Sequence, residues 1–472
     1  MEKKNTWETY SSKQLKELEK INAQYRDFLD NGKTERECID TIVNTIEKSG
    51  YRELESLIKE GAALKTGDKV YSVWMNKSIA MFQIGRKPMT EGMNILGAHI
   101  DSPRLDVKQN PLYEDGGFAY LDTHYYGGVK KYQWVTIPLA IHGVIVKKDG
   151  TCVEINIGEN EDDPVFFVSD LLIHLAQEQL EKKAAKVIEG EALDIIVGNK
   201  PLLIDKKDKK KDEKEAGKEA VKAGVLDILK ENYDICEEDF VSAELEIVPA
   251  GKAREAGFDR SMILAYGQDD RVCAYTSMQA MLDSDVTDRT MCCILVDKEE
   301  IGSVGATGMQ SHFFENAVAE LMNLTGEYSE LHVRRCLAHS CMLSSDVSSA
   351  FDPTYASSFD KKNVAYLGGG MVINKFTGAR GKSGSNDANA EYLAHLRHIF
   401  DKAEVNFQTA ELGKVDLGGG GTIAYILALY GMNVIDSGVA VLNMHAPWEA
   451  TSKADVYETY RGYKAFVEGA SL

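Results

Sequence analysis

Five short stretches of this chain place histidines and carboxylates at the same kind of position, just beyond an apolar run. They are His99 with Asp101, Asp269 with Asp270, Glu299 with Glu300, Asp346, and His445. Imidazole nitrogens and carboxylate oxygens together are the donors that hold zinc or another divalent cation. One cation has little use for so many anions, whereas two cations a few ångströms apart, bridged by one carboxylate, would engage all of them. His99 and Asp101 are two residues apart and face the same way on an extended segment, so the carboxylate can accept the imidazole's second N–H and fix its tautomer. Glu299 and Glu300 are adjacent and would point oppositely on an extended backbone. One could then hold metal while the other reaches the attacking water as a general base. Taken singly, a histidine at a strand end reads as a structural residue and an acidic pair as a solvated turn. Recurrence after five separate apolar runs is not explained by a surface reading.

The apolar runs themselves are Met93–Ile100, Met262–Gly267, Met291–Val296, Cys336–Leu343 and Gly438–Leu442, each read as a buried strand. Helical spacing of apolar residues lies between them, over 271–284, 311–323, 387–403 and 419–430, and again over 11–60. Alternating strands and helices predict an α/β domain with a mostly parallel sheet and helices on both faces. In such sheets ligands bind beyond the carboxyl ends of the strands, which is where the chemistry-bearing residues fall. Residues 118–160 break the pattern: β-branched and aromatic residues with glycine turns predict a β-rich domain inserted into the α/β one. Lys206–Glu215 has no apolar residue and mixes both charge signs, so it reads as a solvated loop.

At 472 residues the chain has room for two or three domains, and 44% hydrophobic with 27% charged residues is an ordinary globular balance. With 54 Lys+Arg against 74 Asp+Glu the net charge is −20, which argues against nucleic acid and anionic membranes as partners. No apolar run approaches the roughly 18 residues of a membrane span and the N-terminal segment has no apolar signal core. Eight cysteines form no CxxC pair, as expected of reduced thiols in a cytoplasmic protein. Cys292-Cys293 lies inside an expected strand and reads as core. The glycine runs 368–370 and 418–421 match neither GxGxxG nor GxxxxGK[ST]. Gly418–Gly421 with Thr422 could instead offer backbone N–H groups to a substrate at the start of a helix.

The strings Gly97-Ala98-His99-Ile100-Asp101-Ser102-Pro103, Gln268-Asp269-Asp270-Arg271, Asp297-Lys298-Glu299-Glu300-Ile301-Gly302-Ser303, Ser345-Asp346-Val347-Ser348-Ser349-Ala350 and Asn443-Met444-His445 resemble, in order and separation, the family of aspartyl aminopeptidase and vacuolar aminopeptidase I. The resemblance spans roughly residues 20–465. It implies a dinuclear metallo-aminopeptidase that removes N-terminal residues from peptides with two divalent ions per subunit, zinc first and cobalt or manganese as alternatives. By the resemblance His99, Asp269 and Asp346 would hold one ion, and Asp269, Glu300 and His445 the other. Glu299 would be the base and Asp101 would orient His99. It further implies a catalytic domain of residues 1–104 and 246–472, an inserted dimerisation or lid domain at 105–245, and a homo-oligomer that is a tetrahedral dodecamer built from dimers. A histidine of the inserted domain reaches a neighbouring subunit's site in that family, and the setting of His174 in Leu172-Ile173-His174-Leu175 makes it the candidate. Members differ in favouring acidic or apolar N-terminal residues. Lys375 or Arg380 would be the cation for an acidic one. A metal-dependent carboxypeptidase or amide deacylase, and a catalytically silent assembly or cargo protein, are the competing readings, and an intact Glu299 argues against the second.

Overall fold

The computed structural model describes residues 5–202 and 219–471, so the charged stretch Lys206–Glu215 lies outside the described residues. Packing divides the chain into two units. The larger comprises residues 1–102, 253–444 and 448–472, and the smaller residues 103–252 together with 445–447.

The larger unit is built on a nine-stranded sheet in the order Arg52–Glu53, Lys69–Trp74, Ser78–Gln83, Thr290–Val296, Met93–His99, Cys341–Ser345, Asn433–Gly438, Met371–Asn374, Phe407–Thr409. Five of its eight strand pairs are parallel and three are antiparallel. All seven residues of Met93–His99 and of Thr290–Val296 are buried. That is why these strands read as unbroken apolar runs: a parallel strand covered by helices on both faces has no solvated side. One face carries the helices Ser12–Asp30, Glu35–Glu47, Gln268–Leu282, Ala390–Lys402 and Lys453–Gly469. The other carries Leu54–Glu60, Phe313–Leu324, Glu330–Ala338 and Ala424–Ala428. The first two helices begin at capping boxes, Ser11 with Gln14 and Thr34 with Glu37, which satisfy otherwise orphaned N–H groups at each start.

Two sequence expectations need correction. The five apolar runs do not share one sheet. Met262–Ala265 and Ala440–Leu442 belong to a separate five-stranded sheet with Arg254–Ala256, Glu449–Ser452 and Ser348–Ser349. The run Cys336–Leu343 is also not one strand, because residues 336–338 end the helix Glu330–Ala338 and the strand is Cys341–Ser345. Val333, Cys336 and Leu337 form that helix's buried stripe, and so short an apolar run is equally compatible with helix and strand.

The smaller unit is an antiparallel six-stranded sheet ordered Cys152–Ile157, Leu139–Val146, Ala243–Pro249, Arg104–Asp115, Phe118–Tyr126, Ile195–Gly198. The helix Ala220–Tyr233 belongs to the same unit. Among the described residues no helix is long and apolar enough to cross a membrane.

Candidate metal centre

His99 is the last residue of its strand and is 2% exposed. Its Nδ1 lies 3.0 Å from the Asp101 backbone carbonyl and 3.3 Å from the Asp101 carboxylate. Two acceptors on that side fix the tautomer with the proton on Nδ1 and leave Nε2 as the coordinating atom. Nε2 is 3.2 Å from Asp269 Oδ1 and 3.9 Å from Glu299 Oε2.

Asp101 does more than spacing suggested. Its two carboxylate oxygens accept the backbone N–H groups of Glu299 and Glu300, each at 3.1 Å. A single buried carboxylate therefore ties the strand end carrying His99 to the turn carrying both glutamates. That turn, Glu299–Ile301, is a 3₁₀ turn rather than the extended backbone expected, entered through Lys298 and left through Gly302, both at positive φ. Charged hydrogen bonds of this kind contribute about 1.5–3 kcal/mol each, enough to prefer the turn over continuation of the strand.

Asp269 sits at the start of Gln268–Leu282, where residues 269 and 270 leave helical geometry. Its N–H donates to Glu449 Oε2 at 3.0 Å and its carbonyl accepts the Ser102 hydroxyl at 2.7 Å. Asp270 accepts the His99 backbone N–H at 3.4 Å, which places it behind the site. Asp346 comes directly after the strand Cys341–Ser345, and its N–H donates to the Ser437 carbonyl at 2.8 Å. Gly438 allows that approach, since a Cβ there would strike the Asp346 carbonyl oxygen.

One donor atom each from His99, Asp269 and Asp346 lies within 4.8 Å of the others, and Asp269 and Glu300 are brought within the same distance. His445 packs with the smaller unit, at positive φ, with Nδ1 2.9 Å from the Gly128 carbonyl. Lys375 is exposed, its ammonium 2.7 Å from Asp387, whose other oxygen meets Lys382 at 2.8 Å. His174 sits in the smaller unit on the exposed 3₁₀ turn Ile173–Leu175. Gly418–Gly421 leads only into the five-residue helix Ala424–Ala428, and the Thr422 hydroxyl donates to Asp436 at 2.5 Å.

The electrostatics fit a divalent ion. Burial would push the His99 imidazole down, but its hydrogen bonds to Asp101 and Asp269 outweigh that and hold it well above its ordinary value. Burial, reinforced by the negative charges of Asp270 and Glu299, pushes the Asp346 carboxyl well above the usual carboxylate range. An Asp346 carboxyl whose ionisation its negative neighbours resist, beside the His99 imidazole, belongs to a donor set that a dication relieves. The sequence reading missed Ser102 and Glu449, which hold Asp269. Ser102 lay within the string Gly97–Pro103, whereas Glu449 carried no local signal. Cys292 and Cys293 are fully buried in their strand, and burial pushes both thiols up, away from nucleophilic use.

Residues 28–467 match the family model described as aminopeptidase I zinc metalloprotease (M18). The chain is 63% identical over 466 residues to a probable M18 family aminopeptidase 1 of Clostridium acetobutylicum, covering 99% of this chain and 98% of the relative. The crystal structure of an M18 family aminopeptidase from Thermotoga maritima superposes with a TM-score of 0.92 at 44% identity, over 100% of both chains. The mApe1 dodecamer of S. cerevisiae shares the fold, with a TM-score of 0.75 at 20% identity over 95% of this chain and 96% of that one.

Proposed function

This chain belongs to the M18 family of zinc metalloproteases and is a metallo-aminopeptidase, and from that premise we propose that it works with two divalent ions per chain. His99, Asp269 and Asp346 would hold the first ion, and Asp269, Glu300 and His445 the second, with Asp269 bridging. Zinc is the expected metal, with cobalt and manganese compatible with the same donors. When bound, such a pair supplies Lewis acidity to the scissile carbonyl and acidifies the attacking water. The remaining work belongs to the chain's own groups. The Glu299 carboxylate takes the proton of the attacking water and delivers it to the leaving amine. Asp101 keeps His99 and both glutamates in register. The observation that carries this reading is the convergence of His99 Nε2 with the carboxylates of Asp269 and Asp346, with Glu299 Oε2 3.9 Å from the same nitrogen.

The active assembly is proposed to be a homo-oligomer, a tetrahedral dodecamer built from dimers through the smaller unit, with His174 completing the site of a neighbouring copy. Exposed Leu171, Leu172, Ile173, Leu175 and Leu180 support that reading, because a run of apolar surface of this kind ordinarily meets a partner. The dodecamer known for the S. cerevisiae relative supports it too. A cytoplasmic location is proposed from eight unpaired cysteines, six of them buried. The N-terminal residue removed is acidic or apolar, with Lys375 the candidate contact for an acidic one.

Stepwise addition of zinc to chelated, metal-free protein tests the metal reading. Activity on free-amine peptides should be absent without metal and reach its plateau at two equivalents per chain. A plateau at one equivalent, or activity in a sample shown by elemental analysis to be metal-free, would overturn it.

A further inference from the structure

Gln268, directly before Asp269, is a polar side chain that neither metal ligation nor proton transfer uses, yet it is fully buried. A buried amide is costly unless its groups are paired, and this one is engaged at both ends. Its Nε2 donates to the Ile263 carbonyl at 3.2 Å and to the Glu449 carbonyl at 2.6 Å, and its Oε1 accepts the Tyr25 hydroxyl at 3.1 Å. Tyr25 is itself buried, on the helix Ser12–Asp30.

Glu449 answers in kind. It is buried, begins the strand Glu449–Ser452 and accepts the Asp269 N–H on Oε2 at 3.0 Å. The side chain of Gln268 thus holds the backbone of Glu449, and the side chain of Glu449 holds the backbone of Asp269. These two hydrogen bonds close a ring between the start of Gln268–Leu282 and the start of that strand, with the reciprocity of a capping box. The ring matters because the backbone at Asp269 leaves helical geometry, so the helix ladder does not fix where this carboxylate points. A buried polar network whose members are satisfied selects one arrangement.

We propose that Gln268 and Glu449 are positioning residues for the second of the two ions. The inference rests on the two-ion reading above, in which Asp269 bridges and His445 belongs to the second ion. His445 lies four residues before Glu449 in sequence, so the ring tethers one end of the segment carrying His445 to the backbone of Asp269. The other ligands of the first ion have supports of their own. His99 is held by Asp101, and the Asp346 N–H by the Ser437 carbonyl. Opening the ring should therefore loosen the second ion and largely spare the first.

Titration of the metal-stripped full chain with cobalt, followed by calorimetry and by the cobalt absorption spectrum, tests the proposal without relying on catalysis. The wild type should take up two equivalents; uptake of a single one would overturn the two-ion reading itself, and this proposal with it. Glu449→Ala should weaken one equivalent about 10–100-fold and leave the other within about threefold. Glu449→Gln, which keeps an oxygen for the Asp269 N–H, should restore affinity to within about fivefold of the wild type. A split between the equivalents is what a general loss of stability does not produce. Because truncation of a buried side chain can impair folding, Tyr25→Phe is the second probe. It removes only the hydroxyl that supports Gln268 and should weaken the same equivalent about threefold to fivefold. Equal weakening of both equivalents, an unchanged second equivalent in folded Glu449→Ala or Tyr25→Phe protein, or a Glu449→Gln variant no better than Glu449→Ala would overturn the assignment.

Discussion

The His99 cluster of the larger unit and the His174 segment of the smaller unit are opposite ways of placing a histidine. His99 is 2% exposed and held on its Nδ1 side by Asp101. Its surroundings are complete within one chain. His174 stands on a short turn flanked by Ile173 and Leu175, 66% and 67% exposed, and its environment is solvent in the single chain. The first histidine derives its chemistry from burial: carboxylates that repel one another are forced together by a sheet and two flanking turns. The second has apolar neighbours that gain nothing until something covers them. The placement of His99 among its carboxylates is therefore a property of the larger unit's fold, while any contribution proposed for His174 depends on assembly.

Substitutions can break this contrast, and the largest effect is expected at Glu299. Glu299→Gln should lower kcat by about 10²–10⁴-fold with the melting temperature unchanged; near wild-type turnover in steady-state assays would remove Glu299 from its role. Asp101→Asn comes next. An amide presents a donor where two N–H groups and the His99 ring require acceptors, so metal affinity and activity should fall roughly 10–100-fold, read by metal titration alongside kinetics. Loss of activity with metal affinity intact would show that Asp101 serves only the glutamate turn.

On the role proposed for His174, His174→Ala should cost about tenfold, the loss of one hydrogen bond of about 1.4 kcal/mol, and here the contrast sharpens. Co-assembly of His174→Ala chains with Glu299→Gln chains should regain activity above that of either variant, because some sites would then combine an intact Glu299 with a neighbour's intact His174. No regain in mixed oligomers would confine His174 to a structural role.

The smallest effect concerns stability. Burial, opposed by the Thr422 hydrogen bond, pushes the Asp436 carboxyl up to about 7, against an ordinary value of about 4 in an unfolded chain. The folded state then binds this proton more tightly than the unfolded state. Its contribution is present at low pH and is lost as pH rises from about 4 to about 7. Asp436→Asn should abolish that slope, gaining a few degrees on the wild type between about pH 5 and pH 8 in thermal melts. Melting curves that stay parallel across that range would contradict it.

How legible all of this was depended on range. The strand ends bearing His99 and Glu299 were readable because a fully buried parallel strand leaves an unbroken apolar run, and the polar residues directly after it stand out. Cys336–Leu343 was misread because buried Cys336 and Leu337 at the end of helix Glu330–Ala338 stand only a few residues before the buried strand Cys341–Ser345, across exposed Ala338 and His339. The 3₁₀ geometry at Glu299–Ile301 was invisible locally, since it depends on the Asp101 carboxylate nearly two hundred positions away in sequence. Glu449, which anchors Asp269, had no motif for the same reason.

By itself the sequence determined which donor types stand near the strand ends and the order in which they come, because donor identity and strand periodicity are written residue by residue. Tertiary structure alone decided that Met262–Ala265 and Ala440–Leu442 lie in a second sheet, and that Asp101 rather than backbone pleating aims the two glutamates. It also decided that the buried Arg289 guanidinium meets the backbone carbonyls of Gly92, Met93 and His339. The reason in each case is that pairing, burial and charge compensation depend on partners remote in sequence, which only the folded chain brings together.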